Sequence, residues 1–508
     1  METLRISTRS FSYKDFAPLF SGAVKVQLTS ESVKNIQNSH NRLIKEINAG
    51  KTIYGVNTGF GNLAQIKIES KDLNKLQLNL VRSHASGVGN PLEPGLVRSI
   101  MILKLLTYAK GYSGIRLDVA KQLTQYLNHD ILPVIPSIGS VGASGDLAPL
   151  GHMALALVGE GNVFYQGKKV STKTALKKAG IKPLILHPKE GLSLINGTQV
   201  STALAIKACL DGETLIKTAD IAGALSVETS FASRRVFSKE IHEIKQHPGQ
   251  QVVAENIYKL LRGSKIVNSH NNCGKVQDPY SFRCIPHIHG ASRDSFQKAA
   301  EIVNGEINSV SDNPLVLQNG DVVSSGHFHA EHIAQALDIM GIAFSELGAV
   351  SERRTHFFMK GVEGHFPPFV TQTPGLESGY MIAHVTASAL ASENKTLVHP
   401  ASVDSLPTSG GQEDLVSMAP WAGRKCLKIQ QNLRTILAVE MMVAGAANQL
   451  CSSGLKPGRG TEPLLEHLNQ ICAFSKGDRV LSNEIEAIID SQESGKIFTI
   501  VTKIISLR

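Results

Sequence analysis

From about Asn196 onward the chain carries apolar residues at helical spacing, and Ile333, Leu337, Met340, Phe344 and Leu347 step alternately by four and three. Such a repeat lays one apolar stripe along one side of a helix, and a stripe of that length must pack against other helices. Ile429, Leu433, Ile436 and Leu437 form a second stripe, and Val200, Ala203, Leu204 and Ala208 begin a third. Several long helices therefore follow one another, without the alternation of strands and helices that builds a doubly wound sheet. The first half differs. Its apolar pieces, such as Ile131 to Ile138, are short, and turn residues fall at Gly139, Gly142 and Gly145. The expectation is a mainly α protein, a long-helix bundle with a smaller mixed, loop-rich N-terminal region. Residues 1–195 form the mixed region, 196–450 the bundle and 451–508 a C-terminal helical segment, together one continuous unit.

A formal charge of +9 raises the question of an anionic partner. Lys and Arg are scattered among Asp and Glu, however, and aromatics make up only 5% of the chain, too few for base-stacking platforms. No nucleic-acid or membrane partner is expected. The six cysteines, Cys209, Cys273, Cys284, Cys426, Cys451 and Cys472, lie far apart with no C-x-x-C pair, which favours reduced thiols in a cytoplasmic protein. The N-terminus lacks a signal-peptide stretch, and the most apolar later segment, Thr435 to Ala447, is broken by Glu440, so neither secretion nor a membrane span is expected.

Three motifs carry little. Gly59-Phe60-Gly61-Asn62-Leu63-Ala64 fits a loose G-x-G-x-x-A without the strand and ribose-binding acid of a dinucleotide site, and reads as a loop. Gly50-Lys51-Thr52 lacks the earlier glycine of a phosphate loop, and Ser144 lacks the G-x-S-x-G frame of a hydrolase elbow. A metal site is the stronger competitor, because His287-Ile288-His289 and His327-Phe328-His329-Ala330-Glu331-His332 concentrate imidazoles. No H-E-x-x-H occurs, and clustered histidines are more often hydrogen-bonded structural groups, so no metal is assigned.

The most informative stretch is Gly139-Ser140-Val141-Gly142-Ala143-Ser144-Gly145-Asp146-Leu147-Ala148-Pro149-Leu150. It resembles the signature of the aromatic amino acid ammonia-lyase family, in which Ala-Ser-Gly cyclises to 4-methylidene-imidazol-5-one (MIO). The resemblance implies a fumarase/aspartase-like helical fold and a cofactor made from Ala143, Ser144 and Gly145 themselves, with no external one. The residue types suit that chemistry. The Gly145 nitrogen must bend back onto the Ala143 carbonyl, and glycine removes the Cβ that would obstruct it. Loss of the Ser144 hydroxyl then leaves an electrophile that no unmodified side chain provides.

The resemblance spans nearly the whole chain. Tyr54-Gly55-Val56-Asn57-Thr58-Gly59-Phe60-Gly61 is similar to the family's mobile tyrosine loop, which implies Tyr54 as the base for the β-proton. Asn196 resembles the asparagine that hydrogen-bonds the prosthetic group. Gln277-Asp278-Pro279-Tyr280-Ser281-Phe282-Arg283-Cys284 resembles the central signature, implying Gln277 and Tyr280 beside the electrophile and Arg283 on the substrate carboxylate, which a guanidinium fork suits. Phe328 is implied as a further substrate contact. His84 and Glu413 match the branch that deaminates L-histidine to urocanate. A buried carboxylate needs a polar partner, so an imidazole fits it and a phenyl ring does not. His287, His327 and Leu415 depart from that branch's pattern, and Pro420 is positioned to start or kink a helix. The resemblance also implies a homotetramer with sites built from several subunits. The alternatives are a lyase or aminomutase of the same family on another amino acid, and, from another class, a metal-binding or non-catalytic helical scaffold.

Overall fold

The computed structural model describes residues 3–59, 61, 65–270, 276–451 and 454–508. Part of the loose glycine motif (Phe60, Asn62, Leu63, Ala64) and Cys273 therefore lie outside the described residues. The chain divides into two units, each assembled from three stretches. The first contains Met1–Leu210, Ala300–Asp338 and Pro400–Arg424, and the second Asp211–Ala299, Ile339–His399 and Lys425–Arg508. The sequential expectation of 1–195, 196–450 and 451–508 is a division along the chain; these units are divisions in space.

The first unit is organised around helix Pro94–Ala109, in which every residue from Gly95 to Ala109 is buried. Pro94 starts it, where a missing N–H has no helical partner to lose. Helix Ser30–Asn48 turns Ile36 and Leu43 inward and is capped by Thr29, whose hydroxyl accepts from the Ser32 N–H at 3.3 Å. Short sheets fill the rest. Thr3–Ile6 pairs in parallel with Lys25–Leu28, and Asn162–Tyr165 lies between antiparallel neighbours Leu132–Pro133 and Lys168–Ser171. Strands Val88–Pro91 and Pro136–Ile138 pair antiparallel and lead into the glycine-rich loop that precedes helix Leu147–Leu157.

Long helices dominate the later chain: Gln199–Thr229, Ile285–Ile307, Glu331–Phe358 and Ala419–Leu450, the last of 32 residues. All residues of the three stripes read from the sequence are buried. Within the second unit, Gly212 lets Phe296 and Phe344 come close, where an added Cβ would sit 2.7 and 2.6 Å from their rings. Pro420 falls in the first turn of Ala419–Leu450 and starts it without a kink. Glu440, which interrupts the apolar run Thr435 to Ala447, is fully buried and paired with Arg354, Nη2 to Oε2 at 2.9 Å, while Ser226 donates to it at 2.6 Å. Its charge is thus neutralised inside the second unit. Helix Glu331–Phe358 is long and apolar enough by length and composition to cross a membrane, but most of its apolar window is buried within the protein.

Candidate active site

The loop from Gly139 to Asp146 is drawn back on itself by one hydroxyl. Ser140 Oγ accepts from the Gly142 N–H at 3.0 Å and donates to the Gly145 carbonyl at 3.2 Å, pulling the two ends of Ala143-Ser144-Gly145 together. Ser417 and Met418 hold the outer edge, donating to the carbonyls of Gly142 and Val141 at 3.1 and 2.8 Å. The inner edge lies on Gly197. The Asp146 N–H donates to the Gly197 carbonyl at 2.8 Å, and the Gly197 N–H faces the Ser144 carbonyl at 3.4 Å. Gly145 has φ of +77°, and an added Cβ would lie 2.2 Å from the Gly197 oxygen. Only glycine fits this position, on both conformational and steric grounds.

Asp146 anchors the arrangement from below. Its carboxylate accepts from Ser201 N–H at 2.8 Å and Ser201 Oγ at 2.7 Å, and burial pushes its pKa up to about 6 against those bonds. Asn196 closes helix Glu190–Ile195 and is 2% exposed. Its Nδ2 donates to the Asn313 carbonyl at 3.2 Å, whereas Oδ1 has no hydrogen-bond partner among the described residues. An orphaned buried oxygen that lines a cleft is suited to a bound polar group.

That cleft encloses about 930 Å³ and is lined by Tyr54, His84, Ala143, Ser144, Asn196, Phe328 and Glu413, with Gln412 and Leu415 at its side, all from the first unit. Seven of the candidate site residues read from the sequence thus share one cavity. Gly145 lines a smaller cavity that shares His84, Ala143 and Glu413 with the cleft. The Tyr54 hydroxyl accepts from the Gly61 N–H at 3.1 Å. Glu413 is held by Thr408 and Ser409, whose hydroxyls donate to Oε2 at 2.7 and 2.6 Å, and Ser144 Oγ donates to Oε1 at 2.8 Å. Burial raises the Glu413 pKa, but the bonds from Ser409, Thr408 and Ser144 and the nearby His84 outweigh it, keeping a carboxylate below its ordinary value. Burial lowers the His84 pKa despite its bond to the Leu80 carbonyl and the pull of Glu413, so its imidazole is neutral at pH 7.

Gln277, Tyr280 and Arg283 belong to the second unit and are not among the lining residues. Gln277 and Tyr280 are exposed, Tyr280 by 69%, and the Arg283 guanidinium lies 4.7 Å from the Tyr280 ring. The histidine clusters read from sequence divide between other duties. His289 is buried with Nδ1 on Asp220 at 2.9 Å and Nε2 3.4 Å from Arg354, His327 Nδ1 meets Ser325 Oγ at 3.0 Å, and His329 Nε2 donates to the Leu415 carbonyl at 3.2 Å. His287 is exposed beside the His242 ring. Among the described residues no group of three or more His, Cys, Asp or Glu is placed to hold a metal ion. Sequence reasoning missed Thr408 and Ser409, which orient Glu413, and Asn313, which orients Asn196; ordinary polar residues in loops give no signal of that kind.

The profile of the aromatic amino acid lyase family matches residues 11–470, and the chain belongs to that family. Its similarity to a histidine ammonia-lyase from Yersinia enterocolitica is 46% identity over 93% of this chain and 94% of the relative. The structure of histidine ammonia-lyase from Trypanosoma cruzi superposes with a TM-score of 0.90 at 35% identity, covering 99% of this chain and 96% of that one. A tyrosine aminomutase from Streptomyces globisporus superposes at 0.93 with 32% identity, covering 100% of both chains.

Proposed function

We propose that this chain is a histidine ammonia-lyase, which eliminates ammonia from L-histidine without oxidation to give trans-urocanate, the first step of histidine degradation. The observation that carries the reading is Glu413, a carboxylate held ionised in the same cleft as Ala143 and Ser144. In the elimination the Cα–N bond breaks, a β-hydrogen leaves as a proton, and the electron pair of that C–H bond forms the new double bond. Neither change is easy for a free amino acid, because the amine leaves poorly and the β-proton is weakly acidic.

The electrophile that answers this is MIO. The Gly145 nitrogen bonds to the Ala143 carbonyl carbon, whose oxygen leaves as water with the amide hydrogens of Gly145 and Ser144 as a C=N bond forms to the Ser144 nitrogen, and the Ser144 hydroxyl leaves with its α-hydrogen as a second water. The pinched loop and the glycine-only position at 145 fit such a group, and the orphaned Asn196 Oδ1 is an acceptor for the substrate's amine. Once formed it supplies an electron sink for the bound amino acid, at its amine or its ring. The remaining work belongs to side chains. Tyr54 takes the β-proton, Glu413 accepts a hydrogen bond from the substrate imidazole beside a neutral His84, and Phe328 packs against the substrate. Arg283 holds the carboxylate through its fork, and Gln277 and Tyr280 stand beside the electrophile, with Asn196 bonded to it.

The exposed Gln277 and Tyr280 support a homotetramer in which sites are completed by neighbouring subunits. The protein is assigned to the cytoplasm, in keeping with its described cysteines, which form no disulfide with one another. Intact-mass measurement of the purified chain tests the electrophile. The mass should fall short of the sequence mass by two waters, and a chain that retains both would exclude this chemistry.

A further inference from the structure

Helix Pro94–Ala109 contains one lysine in an otherwise apolar run, Ile100-Met101-Ile102-Leu103-Lys104-Leu105-Leu106, and Lys104 is fully buried. Burying an ammonium is costly unless its protons are well placed, and a leucine or methionine would fill the same space without that cost. The Lys104 protons are placed on one short segment. Nζ donates to the Ser193 carbonyl at 3.0 Å and to the Asn196 carbonyl at 2.5 Å, and Tyr108 Oη adds a bond to the Ser193 carbonyl at 3.1 Å. Asp312, a buried acid whose charge acts on Lys104, already has its own partners in Lys189 at 3.1 Å and Ser193 Oγ at 2.6 Å. Burial, opposed by Asp312 and Asp146 and reinforced by Lys189, brings the Lys104 amine down to about 7.

The carbonyl of Asn196 and the N–H of Gly197 are the two ends of one planar peptide group. Lys104 grips the oxygen end, and the nitrogen end faces the Ser144 carbonyl at 3.4 Å. That carbonyl survives closure of the ring and stays conjugated to the methylene left by the Ser144 side chain. A donor on this oxygen draws electron density away from the methylene, and a hydrogen bond accepted at the far end of the donor peptide strengthens the donor. The same peptide carries the Asn196 side chain into the cleft.

We infer that Lys104 is a positioning residue for the electrophile: through the Asn196–Gly197 peptide it sets and polarises the N–H that faces the Ser144 carbonyl. The inference rests on the reading of Ala143-Ser144-Gly145 as MIO. Lys104 itself touches neither substrate nor the reacting atoms.

Lys104→Met keeps the side-chain length and removes charge and donors; Lys104→Gln keeps a donor without the charge. Both are purified beside the wild type and examined by circular dichroism, intact mass, the rate at which a small thiol adds to the chain, and steady-state kinetics on L-histidine. The expected result is native helical content in both variants and, in Lys104→Met, either incomplete loss of the two waters or slower thiol addition. Its kcat falls about tenfold or more while KM stays nearly constant, with Lys104→Gln intermediate. Wild-type dehydration, thiol reactivity and kcat in Lys104→Met would overturn the inference, as would loss of helical content in both variants, which would assign Lys104 to the scaffold. If the wild-type chain itself keeps both waters, the electrophile reading fails instead.

Discussion

Ser144 Oγ donates to Glu413 Oε1 across 2.8 Å, joining the residue that would lose its hydroxyl in the proposed cyclisation to the residue that would read the substrate ring. The open chain thus keeps Glu413 occupied by a neutral partner. Loss of the Ser144 hydroxyl in the proposed cyclisation would remove that partner, and an imidazole N–H would take its place. Thr408 and Ser409 hold the other carboxylate oxygen throughout. Glu413→Gln removes the charge but not the shape, and turnover of L-histidine should fall about a hundredfold or more in kcat/KM while the two waters are still lost. Steady-state kinetics with intact mass on the same sample checks both halves, and unchanged histidine turnover would remove Glu413 from substrate recognition.

The pH dependence follows from the same carboxylate. Its folded pKa lies below its ordinary 4.5, so its ionised form contributes stability that is fully present above about pH 4.5 and is lost as pH falls through the folded value. The difference in melting temperature between wild type and Glu413→Gln should therefore be constant from neutrality down to that point and narrow below it. Differential scanning at a series of pH values measures this; a gap that widens with acid would contradict the hydrogen bonds assigned to Glu413.

Gly145→Ala places a Cβ 2.2 Å from the Gly197 oxygen in a backbone conformation with φ of +77°. The loop must open to accept it, at a destabilisation of about 1–3 kcal/mol, and closure onto Ala143 is lost. The variant should keep both waters, show no measurable deamination and denature at lower urea concentration. A dehydrated, active Gly145→Ala chain would refute the geometry assigned to this loop.

Tyr54→Phe removes the hydroxyl that accepts from the Gly61 N–H and is assigned the β-proton. Its kcat should drop about a hundredfold to ten-thousandfold with little change in substrate binding, the range for loss of a positioned base. Near-normal turnover would move the base elsewhere, with Tyr280 the next candidate.

Sites completed by neighbouring subunits, as proposed, would show complementation. Mixing Tyr54→Phe with Arg283→Ala chains under conditions that exchange subunits should restore deamination that neither variant shows alone, since some mixed sites would carry both native residues. Failure of mixed tetramers to regain activity would place the second-unit residues outside the site.

The helical half was legible because its stripes have one period and one purpose: Ile333, Leu337 and Phe344 are all fully buried. Tyr54, His84, Asn196 and Glu413 were legible through the local segments that surround them, and the structure lines one cleft with all four. What lay beyond the sequence is contact between distant stretches. Nothing near Glu413 announces that Ser144 binds it, since 269 positions separate them. Glu440 read only as a break in an apolar run until Arg354 supplied its partner. Lys104 did leave a trace, a single cation among six apolar neighbours, but its targets are backbone carbonyls at Ser193 and Asn196, which no side-chain pattern encodes.

The most direct measurement is competition among L-histidine, L-phenylalanine and L-tyrosine on the purified protein, with urocanate, the two aryl acrylates and ammonia quantified together. Urocanate and ammonia should form in equal amounts, with a specificity constant for histidine roughly ten-thousandfold above the other two, because a phenyl ring leaves the Glu413 carboxylate unpaired. A higher specificity constant for phenylalanine or tyrosine, or no urocanate at all, would contradict the proposed function.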